Sequence, residues 1–473
     1  MGDRRPGDRA RRADRRTDPG RTRRSHGSRP PCPPPARSNR PTGRQQALLS
    51  DPEAAAPAVT QRSGLRRFLV DTTPLRTSPE YRRLWLGQGL SYVLGEVTYV
   101  ALPFQVYKLT GSTFAVGAIA LVELVPLLSL TFIGGAAADA LDRRRLLVFS
   151  EAGTTASVAG LVVNAALPHP RVDVCFALAF FAAAFGSLGV GASRSLIPRL
   201  VPPEHVTSAL ALNSLYASIG AVAAPALAGV LIKTVGVTGA YAVGVGGFTS
   251  SLVAFWLLPS IVPIGGGEPP GLRSLIEGFR FLRQQRVILG CFLIDTVAMV
   301  FGMPSALFPA IAIVRLHAGA AVVGYLYAAP AAGALIAALF SGWLGHVRRQ
   351  GIAIVAAATM WGVAITLFGF ATTLWLALIL LAFAGGADAV SAVLRNRIMF
   401  ALTPDALQGR VSAAYLAQVT SAPRLGNLEA GGLASLTSIR FSIVSGGVAC
   451  VVGCLLLVAA IPSLIRYEAK AQT

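Results

Sequence analysis

Twelve apolar runs dominate this chain, each close to the ~20 residues that a helix needs to cross a bilayer. They fall at roughly 84–107, 113–137, 146–167, 172–193, 207–232 and 237–258, and again at 287–313, 321–344, 351–369, 372–394, 411–437 and 441–463. So many runs leave little chain for a soluble core. Only 14% of the 473 residues are charged, against about 25% in soluble domains. The expectation is an all-α, multi-pass protein of a cell membrane, with the lipid bilayer as its solvent.

The net charge of +20 invites a nucleic-acid reading, but its distribution argues otherwise. Ten of those units lie in the first 50 residues, which hold 14 Arg and four Asp. Residues 1–75 are rich in Arg, Pro, Gly and Ser, and bury too little apolar surface to order themselves. After Met1 the next methionine is Met299, so a start near Gly64 or Val70 is also open. The remaining basic charge sits between runs. Loops 2–3, 4–5, 6–7, 8–9 and 10–11 carry fourteen Arg, from Arg143 to Arg410, whereas the alternate loops carry Lys108, Arg171, Lys233, Arg315 and Arg440. That bias places both termini in the cytoplasm.

The chain divides in the middle. Residues 76–258 form a first six-helix half, 259–286 a linker, 287–466 a second half, and 467–473 a short cytoplasmic tail. The linker holds Gly265-Gly266-Gly267 and Pro269-Pro270. It is followed by an amphipathic stretch with Leu272, Leu275, Ile276, Phe279 and Leu282 on one side and Arg273, Arg280, Arg283 and Arg286 as its basic residues, suited to lie along headgroups. The halves repeat. Val116-Gly117 and Gly135 recur 207 residues later as Val323-Gly324 and Gly342, while Arg194, Ile197, Pro203 and Glu204 recur 201 residues later as Arg395, Ile398, Pro404 and Asp405. Two parallel six-helix halves are what a rocking secondary transporter requires, with its site between them.

Specific residues then resemble a known family. Gly135-Ala136-Ala137-Ala138-Asp139 followed by Arg143, Arg144 and Arg145 resembles the loop 2–3 signature of the major facilitator superfamily, although Ala140 stands where that signature has Arg. In the second half Gly342, His346 and Arg348 occupy the corresponding positions, with His in place of Asp. Gly220, Pro225 and Gly229 resemble the superfamily's antiporter motif. Tyr81-Arg82-Arg83-Leu84-Trp85, Gly278-Phe279-Arg280-Phe281-Leu282 and Gly409-Arg410-Val411-Ser412 are similar to the branch of enterobactin, drug and macrolide exporters. The resemblance implies a twelve-helix major facilitator fold whose halves are related by a pseudo-two-fold axis. It implies conformational latches at Gly135, Asp139, Arg143 and Arg144 and at Gly342, His346 and Arg348. It also implies export of a siderophore or lipophilic drug by proton antiport, with no cofactor beyond the proton gradient. The chain is expected to act as a monomer.

Charges inside spans are costly and mark functional hypotheses. A proton-coupled carrier needs a carboxylate that takes up and returns a proton near neutral pH. Glu96 is the first candidate, and first-span acids at that depth are natural coupling sites in this branch. Glu123 is the second, followed by Asp295, Glu429 and Arg424. Glu429 stands five residues after Arg424, off one ideal helical face, so pairing between them and partners across the bundle both stay open. Asp388 and Arg395, seven apart, share a face near the cytoplasmic end of the tenth run and read as a gate.

Enzymatic readings find little support. Five His residues are scattered without metal spacing, and no GxSxG elbow or phosphate-binding glycine loop occurs. Cys32 lies in the tail, while Cys175, Cys291, Cys450 and Cys454 lie within spans, without a metal or disulfide framework. The rival readings are solute uptake by symport or facilitated diffusion on the same fold, a transport-inactive sensor, and nucleic-acid or lipid binding by the tail.

Overall fold

The computed structural model describes residues 71–194, 196–260 and 272–468. The basic tail before residue 71, the Pro/Gly linker at 261–271 and residues 469–473 lie outside the described residues, as do the side chains of Asp139, Arg194, Arg273, Leu275 and Phe279. The fold is an all-helical bundle of twelve spans. In the first half these are α1 (Pro79–Thr110), α2 (Thr113–Ala140), α3 (Arg143–Ala166) and α4 (Val172–Arg194), then α5 and α6 as the two legs of Val206–Trp256. In the second half they are α7 (Arg286–Phe301), α8 (Ala320–Leu339), α9 (Gln350–Phe368), α10 (Leu374–Leu402), α11 (Asp405–Leu436) and α12 (Ile439–Ala460). The amphipathic stretch of the linker is a helix, Leu272–Gln284.

Local chemistry sets these boundaries. Pro79 opens α1, where its missing N–H costs nothing. Gly111, at φ 63°, closes it in the left-handed conformation that favours glycine. Side chains cap three helix starts: Ser112 accepts from the Ala115 N–H at 3.2 Å, Asp142 from Arg144 at 2.9 Å and Ser438 from Phe441 at 3.1 Å.

Some boundaries match the sequence reading and several differ. The fifth and sixth runs are two helices that meet at Gly236, whose φ of 74° breaks the helix between them. The eighth run, expected to reach 344, stops at Leu339 and continues as a tight 3₁₀ turn, Ser341–His346. The tenth run, expected to stop at 394, continues to Leu402, so Arg395 and Arg397 are helical residues and not loop residues. Nothing breaks that helix before Thr403-Pro404, where proline disfavours helical backbone in the residue ahead of it.

Nine stretches among the described residues are long and apolar enough to cross a membrane. The α5–α6 stretch counts once among them. The two remaining spans, α1 and α11, carry polar side chains such as Gln88, Glu96 and Gln105, or Gln418, Arg424 and Asn427. Most of those side chains line the cavities described below.

In the first half α1 packs along α5–α6, and α2 and α3 pack on α4. In the second, α8 and α9 pack on α10, while α7 packs on α11 and α12. The halves meet through α2 against α11 and α5 against α8. Both contacts lie at the end opposite the arginine-rich loops, and both use glycine to bring backbones together. A Cβ placed on Gly117 would stand 2.5 Å from the Asn427 carbonyl oxygen, and one on Gly229 would stand 2.9 Å from Gly324 Cα. The Thr113 hydroxyl adds a hydrogen bond of 3.0 Å to the Gly431 carbonyl. Toward the arginine-rich end a cavity of about 350 Å³ lies between α2, α4 and α11, lined by Thr131, Gly135, Gly191 and Ala417.

Candidate substrate and coupling site

A central cavity of about 280 Å³ lies between the halves. Thr98 and Tyr99 of α1, Glu123 of α2, Tyr327 of α8, and Arg424 and Asn427 of α11 line it. Tyr99 and Tyr327 meet edge to face across it, their ring centroids 6.0 Å apart. Glu123 and Arg424, brought from different halves, interact electrostatically but form no ion pair among the described residues. Arg424 donates at 2.9 Å to the Thr420 carbonyl one turn back, and its buried Nε has no partner. The second half also contributes a break in the span that begins with α7. After Phe301 the helix gives way at Gly302-Met303-Pro304 to a short turn, Ser305–Leu307. Asn427 holds that turn by accepting from the Ser305 hydroxyl at 2.6 Å and the Ala306 N–H at 2.9 Å. Irregular backbone at membrane depth is tolerated where a cavity or protein receives its polar groups.

A second cavity, of about 720 Å³, lies within the first half. Two carboxylates, Glu96 of α1 and Glu151 of α3, line it with Ser91, Tyr92 and Tyr216, and no Arg, Lys or His is among its lining residues. Ser91 donates to Glu151 Oε1 at 3.2 Å, whereas Glu96 makes no hydrogen bond or ion pair among the described residues. Glu151 escaped the sequence reading. Its signal was the same as that of Glu96, a carboxylate inside an apolar run, but it stands near the start of its run and was passed over.

The acids of the second half are placed differently. Arg395, only 5% exposed, forms an ion pair with Asp295 of α7 and a second contact, at 3.4 Å, with Asp388. Gln418 of α11 donates to Asp295 at 2.9 Å and also to the Phe292 carbonyl at 2.9 Å. Asp295, grouped by sequence with the coupling carboxylates, therefore belongs with the Asp388–Arg395 pair. Arg424 and Glu429 do not pair. Arg424 faces the central cavity, and Glu429 lines neither that cavity nor the acidic one.

The motif residues occupy three settings. Gly135 packs against Gly191 of α4, where a Cβ on Gly191 would stand 3.2 Å from Gly135 Cα. Asp139 lies in the last turn of α2, its side chain outside the described residues. Arg143 is buried, and the Arg144 guanidinium donates at 2.5 Å to the Trp256 carbonyl at the end of α6. Asp142 reaches the same region, accepting from the Ser260 hydroxyl at 2.6 Å. In the second half Gly342 and His346 are exposed in the 3₁₀ turn and Arg348 is exposed beyond it. The antiporter-like residues divide: Gly220 packs on Tyr92 of α1, while Pro225 and Gly229 form the contact with α8.

Comparison with known proteins fits this architecture. Residues 71–472 match the model of the family described as transmembrane secretion effector. The chain is similar to the enterobactin exporter EntS of Citrobacter koseri, 32% identical over 391 residues that cover 82% of this chain and 94% of that one. The Shigella boydii enterobactin exporter EntS is 31% identical over the same shares. Among solved structures, the nucleoside transporter NupG aligns with a TM-score of 0.65 at 12% identity, covering 82% of this chain and 99% of that one. A bacterial homologue of the iron transporter ferroportin, in an inward-facing state, aligns with a TM-score of 0.63 at 16% identity, covering 80% and 98%. The chain thus belongs to the transmembrane secretion effector family, in the enterobactin exporter branch of the major facilitator superfamily, a family of membrane transporters and not of enzymes.

Proposed function

We propose that this protein exports a small molecule, a siderophore or a lipophilic drug, from the cytoplasm by proton antiport. Both termini and the arginine-rich loops lie on the cytoplasmic side in this reading, and the protein works as a monomer without a cofactor. One observation carries it: carboxylates of the first half line cavities with no ion-pair partner among the described residues, beside a close backbone contact between the halves opposite the arginine-rich loops. Substrate enters from the arginine-rich side and reaches the aromatic pair Tyr99 and Tyr327. Glu96, with Glu151 in the same cavity and Glu123 nearer the centre, takes up and returns the proton. Rocking the halves then opens the opposite end.

Efflux of a panel of catechol siderophores and lipophilic drugs from proteoliposomes, with and without an imposed pH gradient, tests the proposal. Outward movement that collapses with the gradient is expected. Movement indifferent to the gradient overturns proton coupling, and inward accumulation overturns the direction.

A further inference from the structure

A second feature stands apart from the transport path. Helices α8 and α9 each pack against α10 but scarcely meet each other, which leaves a groove of about 620 Å³ toward the arginine-rich end. Small side chains floor it, including Gly333, Ala357 and Gly386, and large ones such as Phe340, Trp343 and Phe383 stand at its rim. These rim residues are exposed, Phe340 to 73% and Trp343 to 55%, so the groove opens outward from the bundle. In a membrane-spanning protein its surroundings are hydrocarbon and headgroups, and an unfilled apolar void forfeits the contacts of its lining.

Charge at one end of the groove selects the occupant. The loop that joins two of its walls, between Trp343 and Ala353, carries adjacent arginines with different fates. Arg349 pairs with Glu468 at 3.3 Å. Arg348 is exposed, and its side chain has no ion pair or hydrogen bond among the described residues. Arg397 braces the same loop through the carbonyls of Leu344 and Gly345 at 3.5 Å. A tryptophan and an unneutralised arginine beside an apolar slot match the ends of a lipid: the ring at the interface, the cation at the phosphate, the slot for a chain.

The geometry points to a binding site for an anionic phospholipid, with one acyl chain in the α8–α9–α10 groove and the headgroup at Arg348. The assignment does not rest on the export reading.

Trp343 is itself the probe. The full chain is placed in phosphatidylcholine nanodiscs containing increasing dibrominated phosphatidylglycerol or dibrominated phosphatidylcholine. Trp343 quenching is then isolated by subtracting a W343F variant, which retains the other four tryptophans. Half-maximal quenching is expected at about five-fold lower mole fraction for the anionic lipid, the size of effect that one arginine near a charged surface gives. Arg348→Gln, on an exposed loop, should bring that ratio close to one. Ala356→Leu, at an exposed position lining the groove, should weaken quenching by both lipids. Equal quenching by both lipids in the native chain overturns the site, as does a preference that survives Arg348→Gln. Failure of both lipids to quench Trp343 overturns it as well.

Discussion

The two halves share an architecture and handle buried charge in opposite ways. In the first, Glu96, Glu123 and Glu151 line cavities, with hydrogen-bond help from Ser91 for Glu151 and no ion pair for any of them among the described residues. In the second, Asp295 and Asp388 converge on Arg395, and Gln418 holds Asp295 in place. A carboxylate tied to an arginine holds helices together, whereas one facing a cavity has no fixed counter-charge. The comparison teaches that a duplicated fold can leave acids at cavities in one copy and tie them to an arginine in the other.

Four measurements break or sharpen this contrast. The largest effect is expected from Glu96→Gln, which should abolish transport driven by a pH gradient while leaving insertion and thermal stability in detergent unchanged. Retention of coupled transport would remove Glu96 from the exchange role. Next, Arg395→Met should destabilise the protein by about 3–5 kcal/mol, the usual cost of stripping one partner from a buried ion pair. Asp295→Asn in the same background should recover part of the loss. Thermal unfolding of the single and double variants reads this directly, and a loss no larger than that of a surface substitution would deny the network its structural role.

The third measurement concerns the contact between the halves. A side chain at Gly324 would meet the Pro225 carbonyl and Gly229, so Gly324→Val should hold α5 and α8 apart. Spin labels placed on α5 and α8 should then report a longer distance, with transport reduced several-fold. An unchanged distance would mean that the contact yields. The smallest effect is expected from Ser91→Ala, which removes one hydrogen bond to Glu151 and should cost about 1 kcal/mol. A cost as large as that of Arg395→Met would show that the first half, too, is held together by its acids.

Much of this was legible in the chain. Twelve runs located twelve spans, because each helix must satisfy its own backbone and present apolar side chains to lipid, and both demands are local. The loop signature and the antiporter-like residues identified the superfamily. Less visible was the break in the seventh run at Gly302-Met303-Pro304, which hydropathy averages over. Glu151 went unremarked beside a run boundary that was placed only approximately. Asn427 carried no charge to draw attention, yet it holds the broken span after α7 at the edge of the central cavity.

The sequence by itself determined the number of spans, the division into halves and the family, because hydropathy, helix caps and motif spacing are properties of neighbouring residues. Only the tertiary structure decided which acids stand alone and which are neutralised. Asp295 and Arg395 lie on α7 and α10, and Glu123 and Arg424 on α2 and α11. Whether such groups pair or face an open cavity depends on how far apart the packed helices hold them, a distance that no local pattern encodes.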